Sequence, residues 1–315
     1  MLQIEHLSYA YGDRVALDDV SLDVRNGELF GFLGPNGSGK TTLFRILATI
    51  LPPGGGTVKI GGFDLATQRN DVRRLIGVMF QSPSLDIHLT AAENLRHHGH
   101  LYGLKGTALR DRIAELLGHV RLEDRANDRV KSFSGGMRRR LELAKALLPG
   151  PRVLLLDEPS TGLDLTARME LRQSLLRLRD SGVTILLTTH LVEEADACDR
   201  LAIIDRGRLI ACDTPDRLRG SVGGDVITLL ASDPAPAAER VRRITGVEPQ
   251  LLDGRLRIEH PSAAEWVAPI AAALGSQLQQ ISLGKPTLAD VFAHLTGRPF
   301  EAAAPAAVSS TSAQA

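Results

Sequence analysis

The chain has 315 residues, with 37 basic and 37 acidic side chains and a formal net charge of zero, so it lacks the electrostatic excess of a protein held mainly by nucleic-acid phosphates, and no nucleic-acid partner is expected. Its length suits one large and one small domain, and 43% hydrophobic with 23% charged residues is enough to fill a core, which excludes wholesale disorder. No apolar run reaches the roughly 18 residues needed to cross a bilayer; the best, residues 153–156 and 183–187, have strand length.

The chain opens on strand-like alternation, MLQIEHLSYAYG, with no basic segment followed by an apolar core and cleavage site, so a cytoplasmic location is expected. Next comes the apolar run LFGFL, then GPNGSGKTT, formed by Gly34, Pro35, Asn36, Gly37, Ser38, Gly39, Lys40, Thr41 and Thr42, then the helical run LFRILATI. Strand, glycine-rich loop and helix in that order are the context a phosphate loop requires. Glycines 34, 37 and 39 let backbone N–H groups curl around a β-phosphate, and the helix N-terminus adds its positive dipole. Lys40 is expected to reach the β- and γ-phosphate oxygens of a nucleoside triphosphate and Thr41 to ligate Mg²⁺.

Strand-like runs at residues 30–33, 76–80, 153–156, 184–187 and 201–204 alternate with helical segments, which predicts an α/β core on a largely parallel sheet. Between about residues 90 and 148 the pattern is helical only, with Ile113, Leu116, Leu117 and Val120 at spacings of three and four, and reads as an inserted helical subdomain. Its histidines 97, 98 and 100 lack a defined set of partner ligands. Inside it, FSGGM at residues 133–137 offers Ser134 as a helix cap and the exposed N–H groups of Gly135 and Gly136. The following Arg138, Arg139 and Arg140 read as a solvated helix face.

VLLLDEP at residues 153–159 is an apolar strand that leaves two acids at the carboxyl end of the sheet. Asp157 is expected near Mg²⁺, and Glu158 is placed to orient or deprotonate a water. Cys198 and Cys212, the two cysteines, fit a reducing compartment and read as small buried apolar residues. The main domain is expected to span residues 1–219 and a glycine-rich linker residues 220–224. A small α+β domain over 225–298 should run strand 225–231, helix 237–244, strands 248–252 and 255–259, helix 263–274, strand 277–283 and helix 287–295. Asp253-Gly254 suits a tight hairpin, and the order is that of a ferredoxin-like split βαβ unit. Residues 299–315 are too poor in large apolar groups to order and are expected to be a disordered tail.

FSGGM, followed by RRRLELAKALL and then VLLLDEP, resembles the signature region of the ABC ATPases, usually written LSGGQ. The resemblance covers about residues 2–217, with every motif in order. It implies that Tyr11 stacks on adenine, that Gln81 lies near Mg²⁺ and the membrane partner, that STGLD ending at Asp164 is the D-loop, and that His190 touches the γ-phosphate. It also implies a head-to-tail dimer in which Ser134, Gly135 and Gly136 complete the partner's ATP site. Phe133 and Met137 depart from the common signature, and a thioether cannot replace the hydrogen bonds of glutamine, which touches hydrolysis rate or communication.

SLDIHLTAAENLRHHGHLYGL after Gln81, and the ending PTLADVFAHLTGR, narrow the resemblance to drug-exporter ATPases of the daunorubicin-resistance type. That implies a separate transmembrane permease, export of a lipophilic compound, and a peripheral position on the inner face of the membrane. An importer of the sugar type would carry a β-barrel extension instead. A soluble ABC protein of ribosomes would carry two cassettes and one of DNA repair long coiled coils; this sequence has one phosphate loop and no such heptads. Intact Lys40, Asp157, Glu158 and His190 oppose a catalytically dead binding module.

Overall fold

Apolar runs too short for helices become strands buried on both faces, as a computed structural model describes within residues 1–300. Nearly all of the expected tail, residues 301–315, lies outside the described residues. The chain divides into two compact units, Met1–Cys212 and Asp213 onward.

The first unit begins with β1 (Leu2–Tyr11), β2 (Arg14–Val24), β3 (Leu29–Leu33), α1 (Lys40–Leu47), β4 (Gly55–Ile60), β5 (Phe63–Asp64), α2 (Arg69–Leu75) and β6 (Ile76–Met79). Helices α3 (Ala91–Leu101), α4 (Gly106–His119) and α5 (Gly135–Leu147) follow, then β7 (Val153–Asp157), α6 (Leu165–Asp180), β8 (Thr184–Thr189), α7 (Val192–Ala195), β9 (Arg200–Asp205) and β10 (Arg208–Asp213). Two sheets result, one ordered β2-β1-β4-β5 and one ordered β10-β9-β3-β8-β7-β6.

In the larger sheet β3 pairs in parallel with β8 and β9, and β7 with β6 and β8. Period-two alternation divides its side chains between two cores. Phe30, Phe32, Val153 and Leu155 pack with α1 and the antiparallel sheet, whereas Leu29, Leu154 and Leu156 pack with the helices α3 to α6. Burying each such side chain contributes about 1.5–3 kcal/mol. Because these strands run parallel, the residues just past Leu33, Met79, Asp157 and Thr189 all emerge at one edge of the sheet.

The second unit comprises α8 (Pro215–Gly220), β11 (Asp225–Ala231), α9 (Pro234–Thr245), β12 (Gln250–Leu252), β13 (Arg255–His260), α10 (Ala263–Leu274), β14 (Leu278–Gly284) and α11 (Leu288–Thr296). Its antiparallel sheet is ordered β12-β13-β11-β14, and Ile227, Leu229, Leu256 and Ile258 bury one face with Val241 of α9 and Ile270 of α10. Asp253 and Gly254 both take left-handed φ values, 49° and 73°, which closes the hairpin between β12 and β13. Helix α9 starts earlier than its apolar periodicity indicates, because Asp233 caps it and Pro234 pre-sets its first turn. In α11, Leu288, Val291 and Phe292 are buried, but Leu295 is 39% exposed and leaves the apolar face expected of all four.

Candidate nucleotide site

Beyond β3 the chain turns through Gly34 to Gly39 into α1. Gly37 and Gly39 hold φ values of 79° and 109°, which side-chain-bearing residues avoid. A Cβ on Gly39 would meet the Ala16 carbonyl at 2.6 Å, and one on Gly34 the Ile204 carbonyl at 2.2 Å. The loop is therefore shaped by backbone packed against backbone. Lys40 is buried, and its Nζ donates to the Gly34 and Pro35 carbonyls at 2.7 and 3.0 Å. Burial pulls this ammonium below the usual lysine range, opposed by the charges of Glu158 and then Asp157. Ser38 Oγ is buried without a hydrogen-bond partner among the described residues. Beside the loop lies a cavity of about 340 Å³, lined by Asn36, Gly37, Gly39, Lys40, Thr41 and Thr42 and by Tyr11, Glu158 and Arg206. Tyr11 is 45% exposed and sits edge-on to Tyr9. Such a loop presents N–H groups and a buried cation to an anionic oxygen cluster.

Asp157 ends β7 fully buried and accepts a hydrogen bond from Thr188 Oγ1 at 2.5 Å. Burial pushes its carboxyl above the usual aspartate range; the Thr188 bond opposes this and Glu158 adds to it. A carboxyl whose folded value is raised stabilises the fold only at low pH, and that contribution is lost as pH rises from the ordinary aspartate range through the raised value. At neutral pH Asp157 is thus a net cost in the ligand-free chain. Asp157→Asn keeps an oxygen for Thr188 and leaves Lys40 beside Glu158, the stronger of its two acidic neighbours. We expect this variant to gain about 1 kcal/mol of stability at neutral pH, with the gain vanishing in acid, as thermal melts at several pH values would show.

Glu158 follows with φ of 45°. Its Oε2 accepts from Gln81 Nε2 at 3.0 Å and from Thr161 Oγ1 at 3.3 Å, while His190 Nδ1 stands 3.2 Å from Oε1 without hydrogen-bond geometry. The sheet edge thus gathers Gln81, Glu158 and His190 from three separated stretches of chain.

Other expected site residues are elsewhere. Ser134 caps α5, its Oγ accepting from Met137 N at 3.2 Å, and both it and Gly135 are exposed; Gly136 is half-buried against Ala167. Asp164 caps α6 by accepting from Ala167 N at 2.8 Å. None of these four lines the cavity. Met137 packs its thioether against the helical core. The solvated face expected of the arginine run is a misreading. Arg139 is buried behind the two acids, Arg140 is half-buried and donates to the Val120 carbonyl at 3.2 Å, and Arg138 is half-buried and donates to the Lys131 carbonyl at 3.1 Å. Carbonyls that lie in reach of a planar fork of donors outweigh the cost of leaving water. Cys198 is buried as expected, and Cys212 is half-buried beside Arg200.

A glycine-shaped loop with a buried lysine, at the carboxyl edge of a parallel sheet and facing two strand-end acids, defines the class of phosphate-loop nucleotide-binding ATPases. The ABC transporter family profile matches residues 17–161. The chain is 41% identical over 305 residues to the daunorubicin resistance ATP-binding protein DrrA2 of Streptomyces coeruleorubidus, covering 94% of this chain and 95% of that protein. It is 38% identical over 304 residues to the Nod factor export ATP-binding protein I of Cupriavidus metallidurans, covering 95% and 98%. Among solved structures, the dimeric post-hydrolysis state of the ATP-binding cassette MJ0796 bound to ADP and Pi is similar, with a TM-score of 0.62 at 28% identity over 68% of this chain and 98% of that one. The chain belongs to the ABC transporter family, as an ATP-binding subunit of the drug-exporter type. It is an ATPase that binds ATP. Among the described residues no helix is long and apolar enough to cross a membrane.

Proposed function

We propose that two copies of this chain pair head to tail around two Mg²⁺-ATP molecules and that hydrolysis drives a separate membrane permease. The observation that carries this reading is a divided site. The cavity holds the phosphate loop, Tyr11, Thr41 and Glu158, while Ser134, Gly135 and Asp164 stand exposed outside it. A two-fold pairing lets that second surface close the partner's cavity, with the α5 N-terminus directed at the γ-phosphate.

Within each site Gly34, Gly37 and Gly39 cradle the phosphates, with Pro35, Asn36, Ser38 and Thr42 shaping the loop, and Tyr11 stacks on adenine. Lys40 turns from the loop carbonyls to the β- and γ-phosphate oxygens. The oxygens of Thr41, Asp157 and Gln81 suit a hard cation, and Asp157 carries a buried charge that burial and Glu158 leave poorly compensated. These three residues would hold Mg²⁺, which supplies charge neutralisation at the phosphates. Glu158 accepts the proton of the attacking water while Gln81 holds one carboxylate oxygen and His190 flanks the other. The relatives' names, daunorubicin resistance and Nod factor export, support export of a lipophilic or drug-like compound, with this chain at the inner membrane face.

Mixing protomers tests the pairing. A Lys40→Ala protomer with a Ser134→Arg protomer forms one site with both lesions and one with neither. Each variant alone is expected to be nearly inactive, and an equal mixture to recover up to about a quarter of wild-type turnover, since half the dimers then hold one intact site. Failure of every mixture, with permease present, would overturn the head-to-tail arrangement.

A further inference from the structure

A charged side chain on a helix ordinarily lays its stem on the surface and keeps its head in water. Arg139 does the reverse: it is 7% exposed, and all of its guanidinium N–H groups meet protein acceptors. Nε donates to the Pro159 carbonyl at 2.7 Å. Nη1 donates to the Phe80 carbonyl at 2.8 Å and to Glu142 Oε2 at 3.0 Å. Nη2 donates to the carbonyls of Asp157 at 3.1 Å and Glu158 at 3.0 Å. Three successive carbonyls of the turn that bears the two acids thus end on one planar group. Glu142, one helical turn on, extends the arrangement. Its Oε1 accepts from Ser84 N at 2.5 Å, and Lys145 Nζ donates to the Ser84 carbonyl at 2.7 Å. The stretch following Gln81 is therefore held from the same helix.

The turn needs holding. Glu158 sits at φ of 45°, a left-handed backbone that persists in a side-chain-bearing residue only where its surroundings over-determine it. We propose that Arg139 is a positioning residue for ATP hydrolysis, fixing the backbone of Asp157, Glu158 and Pro159 so that the Glu158 carboxylate is aimed at the attacking water. The assignment rests on the reading of Glu158 as proton acceptor. Arg139 also lies one turn beyond Ser134 to Gly136 on the same helix. Lysine cannot substitute, because a single ammonium does not span a fan of carbonyls.

Arg139→Met keeps the stem and removes every donor. In full-length protein with its permease, kcat is expected to fall about a hundredfold, as when a reacting group is misplaced by about 1 Å, while ATP affinity by titration stays near wild type. Arg139→Lys should recover only part of the loss. In a Glu158→Gln background Arg139→Met should change the residual turnover little, since both act on one step. A purely structural arginine would lower melting temperature, ATP affinity and kcat together, in either background, and that pattern would overturn the proposal. If Arg139→Met does not fold, Glu142→Gln weakens the Nη1 anchor with less disruption and should lower kcat about tenfold at unchanged affinity. Wild-type kcat in these variants, with Glu158→Gln inactive, overturns the positioning role alone. Wild-type kcat in Glu158→Gln overturns the proton-acceptor reading and this proposal with it.

Discussion

Glu158→Gln is expected to bind ATP nearly as well as the wild-type chain and to hydrolyse it about 10²- to 10⁴-fold more slowly. Glutamine occupies the same space and keeps an acceptor for Gln81 Nε2 and Thr161 Oγ1, which both donate to Oε2. Its amide faces His190 Nδ1 where Oε1 stood, 3.2 Å away. The shape of the cavity wall is kept, and what disappears is a base able to take a proton from water. With hydrolysis blocked and binding intact, ATP-bound dimers should accumulate. Single-turnover kinetics and light scattering with ATP check both halves. Wild-type turnover would remove Glu158 from the chemistry.

Lys40→Ala is expected to weaken ATP binding by about 10- to 100-fold, the worth of charged hydrogen bonds to an anion. The fold should survive. The ammonium's bonds to the Gly34 and Pro35 carbonyls are lost, but so is a buried cation whose desolvation outweighs the help of Glu158 and Asp157. The glycine contacts that shape the loop involve Ala16 and Ile204 backbone, and none involves Lys40. Titration with ATP, alongside circular dichroism to verify folding, tests this; unchanged affinity would refute the assignment of the loop.

Features carried by contiguous sequence were readable without coordinates. The loop and the acid pair each lie in one short run whose backbone consequences are local, and β3, β7 and β8 announce themselves because parallel strands buried on both faces carry apolar runs, here LFGFL, VLLL and ILL. Arg139 was not readable. Three adjacent arginines point in directions about 100° apart around a helix, and which one meets carbonyls depends on how α5 packs against β6 and β7, a property of distant sequence. The same holds for Met137, whose side chain turns into the helical core. Asp164 shows a different limit: a side chain that caps a helix and one that meets a nucleotide are the same residue type after the same loop, and spacing does not separate the two roles.

The central strand of the larger sheet has its own consequence for how the protein is made. Leu33 pairs with Thr189 on one side and Ile203 on the other, 156 and 170 residues later in the chain, so the contacts that set the loop are among the least local in the molecule. The wall against which Gly34 is pressed is the Ile204 carbonyl. At about 5–20 residues per second of synthesis, a nascent chain carries the loop sequence for on the order of 10 s before β8 and β9 exist to shape it. During that interval two largely apolar strands, β3 and then β7, lack their neighbour β8, an interval of exposure to aggregation. Nucleotide competence is therefore expected late in synthesis, once β8 and β9 have paired with β3.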